Sequence, residues 1–468
     1  MPRENNTNST ILKKKKIIFV VPDGTGIRNY LFSQILPLII KEQAELLIYH
    51  SLSEEAIKEV EQLHNITLKT KELPKYKETI KQKFYRESIG FARLLHNIKL
   101  ENNPSIIATW KKGHKGKKKW FYKLVELLGR INYSNYNNIQ KLEKRYQKAL
   151  AVNISRELDF LKQYKPDVIF CTHQRAVNAT AVFKAAEVLG IDTYGAIYSW
   201  DNLPKARLTV RTSKYFVWSQ YMKNEFKKYY PEIPQENVII TGTPQFSLYE
   251  QAKIVSKELF FKEHDLDTSK FTICFSGDDL RTSPYDPYYL DHLAESINKS
   301  IYKDKIQIIF RRSPVDLSGR YDNVIEKHHG LITSIVPNWS NTKSQWTQIY
   351  PYYDDVNLLA NICKHSDLVI NVGSTMAHDF AYFKNAAAYL NYDVKPDKNW
   401  SVNTIYKYQH FRSMPNKNVV YWINSKDDFI AIIKAVMAEN NSVTQEWFNV
   451  INDNTKNSSI EIAKELMA

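Results

Sequence analysis

LVINVGSTMAHDFA (residues 368–381) begins as an apolar strand and ends as a helix. Gly373, Ser374 and Thr375 stand at the join, and Asp379 follows four residues further on. A buried strand that feeds a helix through three such small residues leaves the first helical N–H groups unpaired and pointing outward, where the helix dipole adds partial positive charge. Such an end suits a phosphate. The plainer alternative is that Ser374 or Thr375 simply caps the helix. The rest of the chain has to decide between them.

Outward from this join, short apolar runs alternate with helix-length segments. The first series is IIFVV (17–21), ELLIYH (45–50), DVIFCT (167–172), TYGAIY (193–198), YFVWS (215–219) and NVIITG (237–242). A second series starts afresh with FTICFSG (271–277), IQIIFR (306–311), LITSIV (331–336), LVINVG (368–373), AAAYLNY (386–392) and VVYWIN (419–424). Continuous β-branched runs separated by helices imply parallel strands covered on both faces, the doubly wound arrangement. The expected fold is therefore α/β, with two Rossmann-like doubly wound parallel-sheet domains over residues 1–245 and 246–468. Residues 75–160 lack strand patterns and are rich in Lys, Glu, Leu and Tyr, which predicts a helical insertion in the first domain.

The chain has 468 residues, too many for one ordinary core. Hydrophobic residues make up 43% and aromatics 13%, enough to exclude a disordered chain. Cys171, Cys274 and Cys363 lie far apart with no CxxC pair, so neither a zinc site nor a disulfide framework is expected, and a reducing cytoplasm fits. No run of about 18 apolar residues is present, and MPRENNTNST lacks a signal-peptide core, so neither secretion nor membrane spanning is expected.

The formal charge is +15. Lysines gather at 13–16 and in KKGHKGKKKW (111–120), where Lys111, Lys112, Lys115, Lys117, Lys118 and Lys119 lie beside Trp110, Trp120 and Phe121. Basic residues interleaved with aromatics can dock on an anionic membrane surface or on nucleic acid; a solvated lysine face is the alternative. Peripheral contact with the inner membrane is the partner expected here, ahead of nucleic acid.

Open α/β sheets hold ligands beyond the carboxyl ends of their strands. After the first strand comes PDGTGIRNYL, in which Gly24 and Gly26 permit close backbone approach and Asp23 and Arg28 bracket the turn. It lacks the third glycine of the dinucleotide fingerprint, and no P-loop occurs in the chain. His173, Gln174 and Arg175 follow DVIFCT, and Asp201 and Asn202 follow TYGAIY. In the second series Gly277, Asp278 and Asp279 close the first strand, and Arg311 and Arg312 close the next. Six polar strand ends from two sheets meeting at one cleft are hard to explain by stability alone.

The tandem sheets, the glycine turn and DLVINVGSTMAHDFAYFKNAAAYLNYD together resemble GT-B fold glycosyltransferases of bacterial surface-polysaccharide biosynthesis, which build capsule, O-antigen and teichoic-acid-type polymers. CDP-glycerol glycerophosphotransferase relatives are among them, and SWDNL, YFVWSQYMKNEF and VIITGTPQF carry the same likeness. The resemblance implies that Ser374 and Thr375 hold the donor diphosphate, with Gly373 at the turn, and that Asp379 contacts the ribose or the transferred group. Where such proteins have Arg-x-His-Pro this chain reads Arg311-Arg312-Ser313-Pro314, so a guanidinium takes the place of the imidazole as phosphate partner.

Transfer from a nucleotide sugar breaks a C–O bond beside a diphosphate, and the site must neutralise the charge that develops there. Helix-end N–H groups, hydroxyls and arginines do this without a metal. Asp278 and Asp279 are an acidic pair of the kind that can hold Mg²⁺, but the resemblance implies a metal-free site with no cofactor, and Asp279 can equally cap the helix preceding YDPYYL. A base for an acceptor hydroxyl comes from Asp23, His173 or Asp201. Each also has a plain structural role open to it: Asp23 shaping its turn, His173 as a core histidine, Asp201 in an Asx-turn ahead of Pro204. Tyr406, Tyr408, His410 and Phe411 are candidates to border the sugar or base.

The function expected is a glycosyltransferase moving a sugar from a nucleotide-activated donor to a growing, lipid-linked surface glycan. The alternatives are a glycerol- or polyol-phosphate transferase or a nucleotide-sugar epimerase on the same fold, or, in another class, a basic RNA- or membrane-binding protein without activity.

Overall fold

The computed structural model describes residues 14–110, 113–206, 208–340, 349–439, 443–453 and 457–468. Lys13, Lys111 and Lys112 of the basic clusters lie outside the described residues.

Seven strands form the first sheet: β1 (Lys16–Val21), β2 (Glu45–His50), β3 (Lys69–Glu72), β4 (Val168–Cys171), β5 (Asp192–Ala196), β6 (Lys214–Val217) and β7 (Val238–Ile240). Six form the second: β8 (Phe271–Ser276), β9 (Ile306–Arg311), β10 (Ile332–Ser334), β11 (Leu368–Asn371), β12 (Ala386–Leu390) and β13 (Tyr421–Ile423). All pairings within the two sheets are parallel. The orders are β3-β2-β1-β4-β5-β6-β7 and β10-β9-β8-β11-β12-β13, so the order in which strands are added reverses between β1 and β4 and again between β8 and β11. Ligands bind at such switch points.

Ile17 to Val21 have no solvent exposure, as expected of a strand packed on both faces. Burying each such side chain contributes about 1.5–3 kcal/mol. Strand β3 was not expected from its sequence. Its residues, KTKE, are all exposed, and charged residues on an edge strand carry no apolar pattern to read.

Three helices, Ile80–Glu101, Gly116–Asn132 and Tyr136–Leu150, make up most of the helical insertion and carry small cores of their own. The first starts on a capping box in which Thr79 and Gln82 satisfy each other's backbone N–H groups. Arg93 on that helix bonds Glu143 at 3.1 Å and Glu232 at 3.0 Å, which fixes the insertion to the segment after β6.

At the other end of the chain, the helix Ser458–Met467 returns to the first sheet. Its Ile462, Ala463 and Leu466 share a core with Ile35, Leu36 and Ile39. Helix Thr444–Ile451 buries Trp447 completely, with its ring against His378 at 4.3 Å between centroids and against Trp200 at 5.8 Å. Trp447 thus backs Trp200, from the connection after β5, and His378, from the helix after β11, and ties the two sheets together.

Candidate active site

The second switch point carries the join at 373–375. Gly373 has φ +65°, and a Cβ there would stand 2.7 Å from the Phe411 ring, so only glycine fits the end of this strand. Ser374 N–H donates to Asn371 Oδ1 at 2.7 Å, and Ser374 Oγ accepts weakly from Met376 N–H at 3.4 Å. Thr375 makes no side-chain capping bond to the short helix Met376–Tyr382. Capping therefore uses little of these hydroxyls.

Two adjoining cavities open here. One, of about 250 Å³, is lined by Ser374, Thr375, Asp379, Arg311, Arg312, Gly277, Asp278 and Arg28, together with Trp200, Trp339, Gln245 and His378. The second, of about 390 Å³, shares Trp200, Asp278, Ser374 and Thr375 with it and adds Asp201, Lys205, Gly373, Tyr408, His410 and Phe411. The donor-side candidates thus converge on one cleft. Tyr406 instead donates its hydroxyl to the Leu390 carbonyl at 2.7 Å, a loop-packing role.

Arg311 is 5% exposed, and its Nη2 meets both carboxylate oxygens of Asp355 at 2.9 Å. Asp355 also accepts from Asn338 N–H at 2.8 Å and Trp339 Nε1 at 2.7 Å. Arg311 Nη1 is buried in the cavity wall without a partner among the described residues, and so is Arg28 Nε. Buried guanidinium N–H groups left open are costly unless something completes them. Arg28 reaches this wall from the first domain, on a wide π-helical turn, Ile27–Leu31.

Asp278 and Asp279 turn to different partners. The Asp278 N–H donates to Asp286 Oδ2 at 2.6 Å, whereas Asp279 folds its own turn by accepting from Arg281 N–H at 2.8 Å and Thr282 Oγ1 at 2.8 Å. Asp279 is thus not the helix cap that its position suggested. Burial, with Asp286 beside it, pushes the Asp278 carboxyl up to about 7. Burial also raises Asp286, to about 6. Among the described residues no three His, Cys, Asp or Glu side chains gather in a metal-holding group.

Burial opposes the charge on Asp201, yet Lys205, His410 and the hydrogen bonds from Lys205 and Ser199 together hold the carboxyl well below the usual range. Its oxygens accept from Lys205 Nζ, from Ser199 Oγ at 2.7 Å and from Asn202 Nδ2 at 2.8 Å. A carboxylate so fully paired is a poor base. Asn202 is 3% exposed and also accepts from Gln174 Nε2 at 3.1 Å, so it braces two loops and does not face the cavities described. Burial lowers His410 to about 4, against the pull of Asp201.

At the first switch point His173 Nδ1 donates to Asp23 Oδ2 at 2.8 Å. The carboxylate only accepts, so Nδ1 carries a proton; Nε2 is buried without a partner among the described residues. The other oxygen of Asp23 accepts from Thr25 N–H at 3.0 Å, so this residue shapes its turn and orients His173 at once. Both line a cavity of about 730 Å³ with Arg175 and Lys205, roofed by Arg86, Glu87, Gly90, Leu94 and Trp110 of the insertion. Gly24 and Gly26 line none of these cavities. A Cβ on Gly26 would stand 2.3 Å from Thr172 Oγ1, so this close approach packs the turn against the end of β4.

Several lining residues were missed in the sequence. Trp339, Gln245, His378 and Asp355 follow no strand-end rule, because they come from helices and connections that the fold carries to the cleft.

No family model matches this chain, and no curated protein sequence matches it. Solved structures do. The chain is similar to UDP-GlcNAc 2-epimerase from Methanocaldococcus jannaschii (11% identity, 97% of this chain and 100% of that one, TM-score 0.52). It is similar to Staphylococcus aureus MnaA in a co-structure with UDP (11% identity, 97% and 96% covered, TM-score 0.52). A glycosyltransferase from Rickettsia africae also matches (10% identity, 97% and 99% covered, TM-score 0.50). The shared feature is the fold, and the GT-B-like architecture of two parallel-sheet α/β domains expected from the sequence is the one observed.

Proposed function

We propose that this chain is an enzyme acting on a nucleotide-activated sugar, with the diphosphate at Ser374, Thr375 and Arg312 and the sugar reaching Asp278 and His410. The observation that carries this reading is the cleft at the second switch point, where Arg28, Arg311 and Arg312 line one cavity with the lightly used hydroxyls of Ser374 and Thr375. Anions complete such groups. That one structural neighbour holds UDP and others are named for UDP-GlcNAc supports the same ligand class.

Epimerisation of the sugar is the reaction the neighbours favour. Inverting a C–H centre needs an acid and a base on opposite faces of the sugar. Asp278, its carboxyl raised to about 7, can donate when protonated, and His410, lowered to about 4, can accept; both line the cavity of about 390 Å³.

Transfer to an acceptor is a second reading with its own support. The cavity of about 730 Å³ offers room for an acceptor, and His173, oriented by Asp23 with Nε2 unpartnered among the described residues, is placed as its general base. The acceptor in this reading is a glycan or lipid-linked glycan; polyol phosphate transfer is the same geometry with another donor.

Purified protein incubated in D₂O with UDP, GDP, CDP and CMP sugars and CDP-glycerol, followed by NMR, separates these readings. Epimerisation yields a new nucleotide sugar carrying deuterium at the inverted carbon, with no acceptor present. Transfer yields free nucleotide only when acceptor is added, and His173→Gln abolishes it while sparing epimerisation. Absence of nucleotide binding by calorimetry across the panel overturns both.

A further inference from the structure

Helix Gly116–Asn132 presents two apolar faces. Tyr122, Val125 and Gly129 are buried against helix Ile80–Glu101, and a Cβ on Gly129 would stand 2.7 Å from the Phe91 ring, so this side is locked in place. On the far side Trp120, Leu124, Leu127 and Ile131 are 68%, 57%, 55% and 62% exposed. Their spacing sets all four within about 60° of one another around the axis. Single exposed leucines are commonplace, whereas four large apolar side chains in one outward stripe are not. Because the opposite face is fixed, the helix cannot roll to bury them.

The charge around the stripe has one sign. Lys117 and Lys123 flank it, and Lys115, Lys118, Lys119 and Arg130 are exposed nearby. Lys123 Nζ lies 4.7 Å over the Trp120 ring, its stem laid along the apolar surface. Between residues 113 and 132 the sole acid is Glu126, which is partly buried and accepts from Trp110 Nε1 at 2.9 Å.

We propose that this helix seats the protein on an anionic lipid bilayer, with the Trp120–Ile131 stripe entering the headgroup boundary and the lysines meeting lipid phosphates and carboxylates. An apolar stripe with a basic rim is the form that interfacial helices take. A second copy of this chain would bring the same basic rim against itself. A nucleic acid would leave the aliphatic side chains Leu124, Leu127 and Ile131 without base-stacking partners. Among the described residues no helix is long and apolar enough to cross a membrane, so the contact is peripheral at this surface. The helix beneath, Ile80–Glu101, also roofs the cavity of about 730 Å³, which brings that cavity near the bilayer.

The test is flotation of the full-length protein with neutral vesicles and with vesicles containing about 30 mol % anionic lipid, at low and high salt. Two variants accompany it: Trp120→Ser/Leu124→Ser/Leu127→Ser/Ile131→Ser, and Lys117→Gln/Lys118→Gln/Lys119→Gln/Lys123→Gln. All eight side chains are exposed, and unchanged thermal melting checks that both variants fold. Wild type floats with anionic vesicles only and less so in salt, and each variant loses about tenfold in partitioning. Failure of wild type to float at low salt overturns the proposal, as does equal flotation of the stripe variant. A dimer seen by sedimentation velocity and lost in the stripe variant, without vesicle binding, assigns the face to a second copy. RNA retention on filters, lost in the lysine variant without vesicle binding, assigns it to nucleic acid.

Discussion

The Tyr249 hydroxyl donates to Asp379 Oδ1 at 2.6 Å while accepting from Arg28 Nη2 at 3.0 Å. One phenol thus joins the turn after β1 to the helix after β11, across the cleft between the sheets. Asp379, expected to touch the ribose or the transferred group, lines the cavity but spends one oxygen on this bridge. Tyr249→Phe leaves a buried carboxylate oxygen and a guanidinium N–H unmatched. The expected loss is about 1–3 kcal/mol of folding stability. Urea denaturation measures it, and a midpoint equal to wild type removes the bridge from the account of stability.

Replacing Ser374 and Thr375 together by Ala removes two hydroxyls from the cleft without touching the core, since neither caps its helix strongly. Nucleotide affinity falls by roughly 1–3 kcal/mol while the melting temperature holds. Titration calorimetry reads the first and thermal melting the second. EDTA leaves both binding and turnover unchanged, because fixed cations and hydroxyls meet the phosphates; turnover restored only by Mg²⁺ would contradict this.

Arg311 and Arg312 separate into two jobs. Arg311→Ala abandons Asp355 in the interior, which costs about 3–5 kcal/mol and lowers the melting point. Arg312, partly exposed at the strand end, changes ligand affinity and leaves stability nearly unaltered when cut to Ala. The pair of melting curves and binding isotherms distinguishes them, and activity that survives both single changes rules out a phosphate role for either.

The Asp278 carboxyl, raised to about 7 by burial and by Asp286, stores a pH dependence. In the folded state it holds its proton more tightly than in the unfolded chain, so its stabilising contribution is complete below about 4, the unfolded value. That contribution is lost as pH rises through about 7. Asp278→Asn flattens the stability profile over this window. If the neutral acid donates in catalysis, wild-type turnover declines on the alkaline side of about 7. The variant then loses about 10²–10⁴ in rate with nucleotide binding intact. A pH–rate profile without that alkaline limb excludes Asp278 as the donor.

The strands were legible because a parallel sheet covered on both faces favours apolar, β-branched runs, and twelve of the thirteen strands described fall in the segments that this pattern marks. Strand β3 escaped because an edge strand faces water and needs none. The switch-point residues were legible for a related reason, since polar groups placed just beyond a buried strand must sit where strands end. His173 and Asp23 were singled out in this way, as were Ser374, Thr375, Asp278 and Arg311.

What became of those residues was decided by partners from far along the chain. Tyr249 lies 130 positions from Asp379, and Asp355 lies 44 from Arg311. Asp201 and His173 read alike as bases in the sequence, and only the folded chain shows Lys205 quenching one while Asp23 orients the other. Similarly, the lysines at 115–119 were plain in the sequence, but the outward stripe beside them emerged only when Gly129 met Phe91 and fixed which face of the helix is covered. Local pattern determines where a strand or helix forms, because its cause lies within a few residues. Basicity, phosphate contact and exposure depend on what packs alongside, which only tertiary structure supplies.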